Sequence, residues 1–510
     1  MQPDAHLPEV ERLLQIPERE LRALGDRLRA IGLSAAFLAR IARVAENLDD
    51  ALRAPMRVWN ARRMKDAAAI ALRLFMLHDE LEEAEARAVL GDPAPWVDAG
   101  LLQQEGRALS SRVHLALAGG VFCFGDRPGS GREAVPPLCG ATLDLARAAM
   151  PAAGEPAFES AIDVGSGAGA VALLLARAAR RVVAVDVDPR AVAFTRLNAM
   201  VNGATGLDVR LGDLFEPVAG QRFDRIAAHP PFLATRAGAA PSRFAHGGVR
   251  GDELSLRLLG SAARHLSRGG RAVLLADFPL FDGDALERRV RLAVAAAPVD
   301  VLVLQAPSKN LDEYCVQYAA ARHPELGDAF RRAAIAERDH LECVGVRGIS
   351  LAIVVLREGG PHPASAHAGP VPWTSRLEVR HGGDVPVTSE AIARLLAARA
   401  LAHAPDAVLA AARLRVPAGA KRVAQPLPDG APPSLVVHPP PGFPEWPAVL
   451  DSASAIVVEA IDHADSVLQA ARALAHRRAT SLEVATGEVV RLARDALLRG
   501  VLVIDPNGAG

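Results

Sequence analysis

Short β-branched runs alternate with helical segments between residues 161 and 356, and this alternation limits the possible folds more than any other feature. The runs predict strands, and most of the segments between them have the apolar period of a helix. The strands are expected at Ala161–Val164, Arg181–Val185, Val209–Leu211, Arg225–Ala228, Ala272–Ala276, Val299–Gln305 and Ser350–Leu356, and helices at Val171–Arg180, Pro189–Val201 and Leu254–Leu266. The pattern predicts an open, mostly parallel α/β sheet with ligands bound at the carboxyl ends of its strands.

The first two strands enclose the strongest functional signal, Ala161–Pro189 (AIDVGSGAGAVALLLARAARRVVAVDVDP). The turn after the first strand contains Gly165, Ser166, Gly167 and Gly169. Glycines let a nucleotide-like ligand approach the backbone closely, and Asp186, at the end of the next strand, can hold a pair of ribose hydroxyls. The same turn also satisfies the G-x-G-x-x-G/A pattern of dinucleotide sites, so by itself it leaves a nicotinamide dehydrogenase open.

Three further features narrow this choice. Asp163 lies two residues before the first glycine, where an acid can receive an ammonium group or a structured water. Asp213 and Leu214, in the run GDLFEP, follow the third strand, where an acid can bind an adenine amino group. The run 229–232 (HPPF) follows the fourth strand directly, and its two prolines would expose backbone carbonyls toward the cleft beside an aromatic face.

At these residues the sequence resembles the class I S-adenosylmethionine-dependent methyltransferases, specifically the methyltransferase small domain group. That group includes release-factor glutamine methyltransferases and ribosomal-RNA guanine-N2 methyltransferases. The resemblance is good over Ala161–Ala276. Within this range it includes Asp186, Asn198, Asn202-Gly203, Asp213-Leu214-Phe215, Gly247-Gly248 and Gly251-Asp252. It implies a Rossmann-like, seven-stranded core and S-adenosyl-L-methionine as the cofactor.

The resemblance also implies roles for individual residues. The implied cofactor-binding residues are Asp163, Gly165, Ser166, Gly167, Gly169, Asp186, Val187, Asp213 and Leu214. Among them, Asp163 and the glycine-rich turn would hold the methionine portion, Asp186 the ribose hydroxyls, and Asp213 with Leu214 the adenine. The implied catalytic residues are His229, Pro230, Pro231 and Phe232, which would orient a weak nitrogen nucleophile toward the methyl–sulfur bond.

Position 229 departs from the family pattern, in which the motif usually begins with asparagine. A neutral imidazole accepts one hydrogen bond and can also take up a proton, and its unperturbed pKa of about 6.5 suits a general base. The other interpretation of His229 is that it caps a strand and packs while another group binds the substrate. The departure therefore weakens any transfer of glutamine, adenine or guanine as the substrate.

The segment after this motif, 233–251, contains Arg236, Arg243 and Arg250 and no acidic residue. These arginines could form a rim that recognises an anionic substrate, or they could lie in a solvated loop of an arginine-rich protein. Further along, Tyr314 and Tyr318 share one helical face. Packing is the first interpretation of the two tyrosines, and a substrate-pocket wall is the alternative.

The charge balance argues against bulk nucleic-acid binding. The chain has 58 basic and 59 acidic residues, and neutrality holds across 1–150, 151–360 and 361–510. A protein that binds the phosphate backbone in bulk normally has a basic excess. The four cysteines form no CxxC pair, no metal-binding motif occurs, and no apolar stretch is long enough for a bilayer. These features favour a cytoplasmic protein without a membrane span or a metal site, and they leave a homo-oligomer open.

The chain divides at loops rich in glycine and proline. A helical or winged-helix-like substrate-recognition domain is expected over 1–132, and the methyltransferase domain over 133–358. A linker is expected over 359–373, followed by a small α+β accessory domain over 374–510. Within the accessory domain the proline-rich segment 425–447 is predicted to be stiff and poorly suited to regular structure.

These observations predict a methyltransferase that acts on a nitrogen or oxygen of a small molecule or peptide. A protein side chain or RNA as the acceptor is the alternative. So is a non-catalytic module that binds the cofactor or a partner, because the asparagine of the motif is absent.

Overall fold

A computed structural model of the chain describes residues 12–505, except 13, 44–49, 129, 132, 237–245, 360–371, 381–385 and 426–432. The N-terminal part contains helices followed by short antiparallel strands. These are α1 (Glu18–Ala30), α2 (Ala35–Arg43), α3 (Asp50–Arg63), α4 (Ala67–Phe75), β1 (Leu81–Glu82), α5 (Glu83–Leu90), α6 (Ala94–Asp98), β2 (Leu102–Glu105), β3 (Ala108–Ser111), β4 (Val113–Ala118) and β5 (Val121–Asp126). The expected hairpin turn, Gly119-Gly120, joins β4 to β5, and both glycines have positive φ.

The central part has the expected alternation of strands and helices. Its elements are α7 (Gly140–Ala149), β6 (Phe158–Val164), α8 (Ala170–Leu175), β7 (Ala179–Asp186), α9 (Pro189–Asn202), β8 (Leu207–Leu211), β9 (Phe223–Ala228), β10 (Leu233–Ala234), β11 (His246–Gly248), α10 (Glu253–Arg264), β12 (Leu266–Leu280), α11 (Leu286–Ala293), β13 (Val299–Gln305), α12 (Leu311–Arg322), α13 (Asp328–Cys343), β14 (Gly348–Glu358) and β15 (Thr374–Glu378). Each strand expected from the sequence is present. The helix expected at Val171–Arg180 ends at Leu175, because Ala179 already pairs with Phe158 in the sheet.

The large sheet has the strand order β8-β7-β6-β9-β12-β14-β13-β15. Its strands run parallel except β14, which is antiparallel to both neighbours. The fold is therefore the Rossmann-like α/β fold expected from the sequence, with β15 added as an eighth strand beside β13. Because β15 lies at 374–378, the region expected to be a separate accessory domain begins inside this sheet.

Alternate residues of the central strands fill two apolar layers. On β6 and β12, Ile162 and Leu274 join the layer under α10 and α11, whereas Ala161 and Val273 join the layer under α7, α8 and residues 392–396. This alternation follows from the two-residue period of a strand. Burial on both sides explains why the strands read as continuous apolar runs.

The N-terminal part shares an apolar core with the central part. Leu21 and Leu24 of α1 lie in one cluster with Phe194 and Leu197 of α9. The two helices approach closely at Gly25, where an added Cβ would lie 1.9 Å from the carbonyl oxygen of Val201. The boundary at residue 132 and the winged-helix assignment stay predictions.

The C-terminal part combines helices with short antiparallel strands. Its elements are α14 (Ser389–Ala402), α15 (Asp406–Ala411), β16 (Leu414–Arg415), β17 (Lys421–Gln425), β18 (Ser434–His438), β19 (Ala448–Leu450), α16 (Ser452–His463), α17 (Val467–Arg478), α18 (Leu482–Leu498) and β20 (Val503–Ile504). The expectation that 425–447 lacks regular structure is wrong for β18, because its proline-free apolar run pairs with both β17 and β19. Most of the linker at 359–373 lies outside the described residues. Among the described helices, none has the length and apolarity needed to cross a bilayer.

Candidate active site

The glycine-rich turn lies between β6 and α8, at the carboxyl edge of the sheet. Gly165, Gly167 and Gly169 have φ of 76°, 54° and 84°, a region that favours glycine. An added Cβ would meet open space at Gly165 and Gly167, but at Gly169 it would lie 2.8 Å from Cγ2 of Thr195. The first two glycines therefore leave the backbone accessible to a ligand, and the third allows the turn to pack on α9. Ser166, the residue between the first two, is buried and its hydroxyl faces that of Thr195 at 3.5 Å.

Asp163 lies beneath this turn and is only 2% exposed. Its Oδ2 accepts a 3.0 Å hydrogen bond from the backbone N–H of Ala172 in the first turn of α8. Burial raises the pKa of Asp163 to about 7, and the negative charge of Asp186 adds to this effect. The carboxyl group of Asp163 therefore gains or loses its proton near neutral pH.

Asp186 ends β7 and connects the turn to the next strand. Its Oδ2 accepts a 2.8 Å hydrogen bond from the N–H of Gly167, and its Oδ1 accepts one of 2.9 Å from Asp188. Burial is the main cause that raises its pKa. The next residue, Val187, is 60% exposed, an unusual state for an apolar side chain at a strand end. An acid beside an exposed apolar surface suits a ribose and a base.

Asp213 and Leu214 follow β8 at the same edge. A side-chain oxygen of Asp213 lies 3.3 Å from the guanidinium of Arg257 on α10. Leu214 has φ of 49°, a left-handed conformation that is uncommon for a branched residue. The next residue, Phe215, is buried and stacks on His265 with ring centroids 4.4 Å apart, which anchors the segment from below.

The motif 229–232 directly follows β9, beside β6 and β12. Nδ1 of His229 lies 2.7 Å from the carbonyl oxygen of Leu275, and since a carbonyl only accepts, Nδ1 carries the proton. Pro230 is buried, and Pro231 and Phe232 are half-buried. The Phe232 ring lies 5.7 Å from that of His229. The motif is therefore partly accessible at the carboxyl edge of the sheet, with an aromatic ring beside the imidazole.

A thiol that the sequence analysis missed, Cys139, acts on the pKa of His229. Desolvation raises the pKa of Cys139, but hydrogen bonds to His229 and Thr142 outweigh it and lower this pKa to about 7. In return, the pKa of His229, which burial lowers, is raised overall by its bonds to Cys139 and Leu275. Cys139 is an exposed residue directly before α7. No motif marked it, because it lies far from residue 229 in the sequence.

The second missed residue is Asp277, which is half-buried on β12. Its Oδ2 accepts a 3.0 Å hydrogen bond from the hydroxyl of Tyr318. Tyr314 packs in the apolar interior at 1% exposure, as first interpreted, whereas Tyr318 is half-buried and its role as a pocket wall stays a prediction. An acid near the carboxyl end of a strand could have been noticed in the sequence, but its tyrosine partner could not.

The three arginines proposed for the rim differ in position. Arg236 is exposed, and Arg243 lies outside the described residues. The guanidinium of Arg250 lies 3.9 Å from the ring centroid of Phe281 and 4.0 Å from Asp284. Arg250 therefore has structural partners, whereas Arg236 remains accessible.

The two acids that follow this segment also have structural partners. Glu253 accepts hydrogen bonds from the backbone N–H groups of Arg250 and Gly251. Asp252 instead forms a buried ion pair with Arg289.

The sequence of this chain is similar to those of known methyltransferases. The profile of the family described as "Methyltransferase small domain" matches residues 142–296. A release factor glutamine methyltransferase of Cereibacter sphaeroides is 31% identical over 238 residues, which cover 44% of this chain and 84% of that protein. The ribosomal RNA small subunit methyltransferase C of Chromohalobacter salexigens is 35% identical, over 27% of this chain and 37% of that protein.

Two further proteins are also similar to this chain. The ribosomal protein uL3 glutamine methyltransferase of Bordetella pertussis is 34% identical, over 23% of this chain and 43% of that protein. A solved rRNA methylase structure from Streptococcus thermophilus is 13% identical, with a TM-score of 0.25 over 43% of this chain and 94% of that one. The family profile match at 142–296 lies within the central part of this chain.

Proposed function

Because this chain belongs to the methyltransferase small domain family and is an S-adenosylmethionine-dependent methyltransferase, we propose that it methylates a nitrogen of a protein side chain. The observation that carries the proposal is the position of the 229–232 motif. It follows β9 immediately, next to the strand that leads into the glycine-rich turn, with the half-buried Phe232 ring beside that of His229. A planar amide nitrogen fits an aromatic face of this kind.

The residues at the carboxyl edge of the sheet fit the cofactor. Gly165 and Gly167 leave open space above the backbone, where the methionine portion would lie, and Ser166 and Gly169 shape the same turn. Asp163 would complete this part of the site. S-adenosylmethionine supplies the methyl group when it is bound. The protein's contribution is to hold the acceptor nitrogen in line and to exclude water, and such positioning can be worth effective molarities of about 10^5 M or more.

The ribose and adenine would lie further along the same edge. Asp186 would hold the ribose hydroxyls, and Val187 would contact the base through its exposed apolar side chain. Asp213 and Leu214 would meet the adenine from the other side. Since Arg257 contacts Asp213 in the structure, it must share that carboxylate with the adenine amino group or move away from it.

Three observations favour a protein as the acceptor. Two of the relatives have names that specify a glutamine of a release factor or of a ribosomal protein. The match to the first of these relatives covers 84% of its length. The near-neutral charge of the chain argues against a broad RNA-binding surface. The exposed Arg236, near the motif, offers a cation for an acidic segment of the partner. The small molecule or peptide that the sequence analysis placed first finds no counterpart among these relatives, which favour its alternative of protein or RNA.

A labelling experiment tests the proposal. The full chain would be incubated with methyl-labelled S-adenosylmethionine and two fractions of a bacterial extract, total protein with ribosomes and purified RNA. We expect label in protein that survives ribonuclease treatment, with one S-adenosylhomocysteine released for each methyl group. Peptide mapping would then locate the modified residue. His229→Ala would serve as the low-activity control.

The outcomes separate the alternatives clearly. Label only in RNA would replace the protein acceptor by RNA, as the name of the rRNA relative permits. Label only in low-molecular-weight material would return the acceptor to the small molecules. Tight S-adenosylhomocysteine binding without transfer in any fraction would instead favour the non-catalytic module.

A further inference from the structure

His229 donates its Nδ1–H to the carbonyl oxygen of Leu275 at 2.7 Å. An asparagine at this position would present a side-chain oxygen to the substrate, and His229 offers no equivalent oxygen. A carboxylate beside the motif can supply one.

Asp277 lies beside the motif. Tyr318 donates to its Oδ2 at 3.0 Å, and the ring centroid of Tyr318 lies 6.3 Å from that of Phe232. The charge of His229 lowers the pKa of Asp277, although burial, the largest cause, raises this pKa overall.

Asp277 has fewer hydrogen bonds than a carboxylate can accept. Tyr318 donates to its Oδ2, whereas Oδ1 has no hydrogen-bond partner among the described residues. Burial is the main cause that raises the pKa of Asp277, although Tyr318, Lys309 and His229 lower it. A half-buried carboxylate with one protein donor can accept further hydrogen bonds from a ligand.

Aromatic rings border the same position. Phe232 and Tyr318 meet edge to face, with ring centroids 6.3 Å apart and an interplanar angle of 70°. Both residues are half-buried, which places them between the interior and the cleft. A planar group packed on Phe232 would bring its edge toward Tyr318 and the acid that Tyr318 holds.

We propose that Asp277, held in place by Tyr318, accepts the hydrogen bond from the methyl-acceptor nitrogen and supplies the function of the missing asparagine oxygen. The inference rests on the proposed function and names the residue that selects a nitrogen bearing N–H as the acceptor. In the reaction the nitrogen–carbon bond forms, the sulfur–carbon bond breaks and the nitrogen loses one proton. Asp277 receives that proton and later releases it to solvent.

Four versions of the full-length chain test this inference, namely wild type, Asp277→Asn, Tyr318→Phe and the matched control Tyr314→Phe. Each would be saturated with S-adenosylhomocysteine and titrated by NMR with two probes, N-acetylglutamine methylamide and guanosine. Turnover would be measured in parallel on the protein and RNA fractions. Calorimetry would give the cofactor affinity, and thermal unfolding would show that each variant is folded.

We expect Asp277→Asn to lower kcat about 100-fold and to flatten the acid limb of the pH profile, with cofactor affinity unchanged within about twofold. In wild type the charged groups His229 and Lys309 also act on Asp277 in this limb, whereas Tyr314 and Tyr318 stay neutral because burial raises their pKa values. Tyr318→Phe, which only loosens Asp277, should weaken probe binding about threefold to tenfold. Tyr314→Phe should match wild type in all measurements.

Probe binding and turnover by Asp277→Asn equal to those of wild type would overturn the inference and leave the proposed function intact. Binding of guanosine alone would reject the protein acceptor, and the role of Asp277 would then be judged by the same comparison on that probe. If wild type binds neither probe, the inference is overturned. If Tyr318→Phe instead fails to bind the cofactor, Tyr318 supports the fold of the cleft and the inference is again overturned.

Discussion

The side-chain amide of Asn198 pairs with the backbone of Phe124, accepting a hydrogen bond from its N–H and donating one to its carbonyl, each at 2.8 Å. The same Asn198 nitrogen donates to the carbonyl of Ala168 in the glycine-rich turn, also at 2.8 Å. One helical turn later, Asn202 makes the equivalent pair with Phe122 at 2.9 and 2.7 Å. Two amides of α9 therefore pair with the free edge of β5 as a neighbouring strand would, and Asn198 also holds the glycine-rich turn.

We expect Asn198→Ala to lower the free energy of unfolding by about 2–4 kcal/mol, because it leaves buried backbone groups unpaired. It should also weaken S-adenosylhomocysteine binding about tenfold, since the carbonyl of Ala168 loses its amide donor and keeps only the weaker thiol donor of Cys123. Asn202→Ala is the matched control, which should lose stability but keep cofactor affinity within about twofold. Denaturant unfolding and calorimetry measure the two effects. Equal losses of affinity in both variants would show that Asn198 acts only through stability.

Replacement of His229 distinguishes an orienting role from a base. For an amide acceptor, His229→Asn should retain activity within about tenfold of wild type, because asparagine restores the oxygen of the family motif. His229→Ala should lose about 100-fold or more in kcat. Steady-state kinetics on the labelled acceptor give both numbers. An asparagine variant as inactive as the alanine variant would instead assign His229 as a general base.

The thiol of Cys139 should react with iodoacetamide as a low-pKa cysteine. With a pKa of about 7, its thiolate fraction and therefore its alkylation rate should rise through neutral pH. In His229→Ala the midpoint should shift upward by about one unit or more, because the hydrogen bond that lowers the pKa is lost. Peptide mapping by mass spectrometry identifies the modified residue, and Cys139→Ser supplies the background. An unchanged midpoint would mean that His229 does not activate the thiol.

The buried side chain of Asp163 should lower the free energy of unfolding at alkaline pH. Its folded-state pKa of about 7 lies above its unfolded value of 3.8, so its contribution to stability is present below 3.8 and is lost as pH rises through 7. At pH 8, Asp163→Asn should therefore have a higher Tm than wild type and a free energy of unfolding greater by about 1–3 kcal/mol. At pH 4 the two proteins should differ little in stability. The same variant should bind S-adenosylhomocysteine more weakly. A lower Tm at pH 8 would contradict the first expectation.

Arg236→Ala and Arg250→Ala should have different consequences. Arg236 is exposed, so its loss should raise KM for the acceptor without changing Tm or cofactor affinity. Arg250 lies over Phe281, so its loss should reduce stability by about 0.5–2 kcal/mol. Thermal unfolding and acceptor kinetics separate these effects. If cofactor affinity falls together with acceptor binding in Arg236→Ala, the anion-recognising rim is wrong.

The layout of the central sheet could be predicted because its strands and turns depend on residues that are neighbours in the sequence. Apolar runs such as Val299–Gln305 read as strands from composition alone, and the glycine spacing at Gly165 and Gly167 marks a turn that only a few folds use. The same local reading erred at the end of α8. There, pairing of Ala179 with Phe158 prevailed over helical periodicity.

The sequence by itself determined the α/β class, the glycine-rich turn and the position of the 229–232 motif, because each depends on neighbouring residues. The tertiary structure alone decided that the accessory region begins with a strand of the main sheet. It also decided that Tyr318 donates to Asp277 and that Nδ1 of His229 donates to the carbonyl of Leu275. The two residues of each pair come from separate elements, and these hydrogen bonds act through space. No periodicity along the chain records which elements packing will bring together.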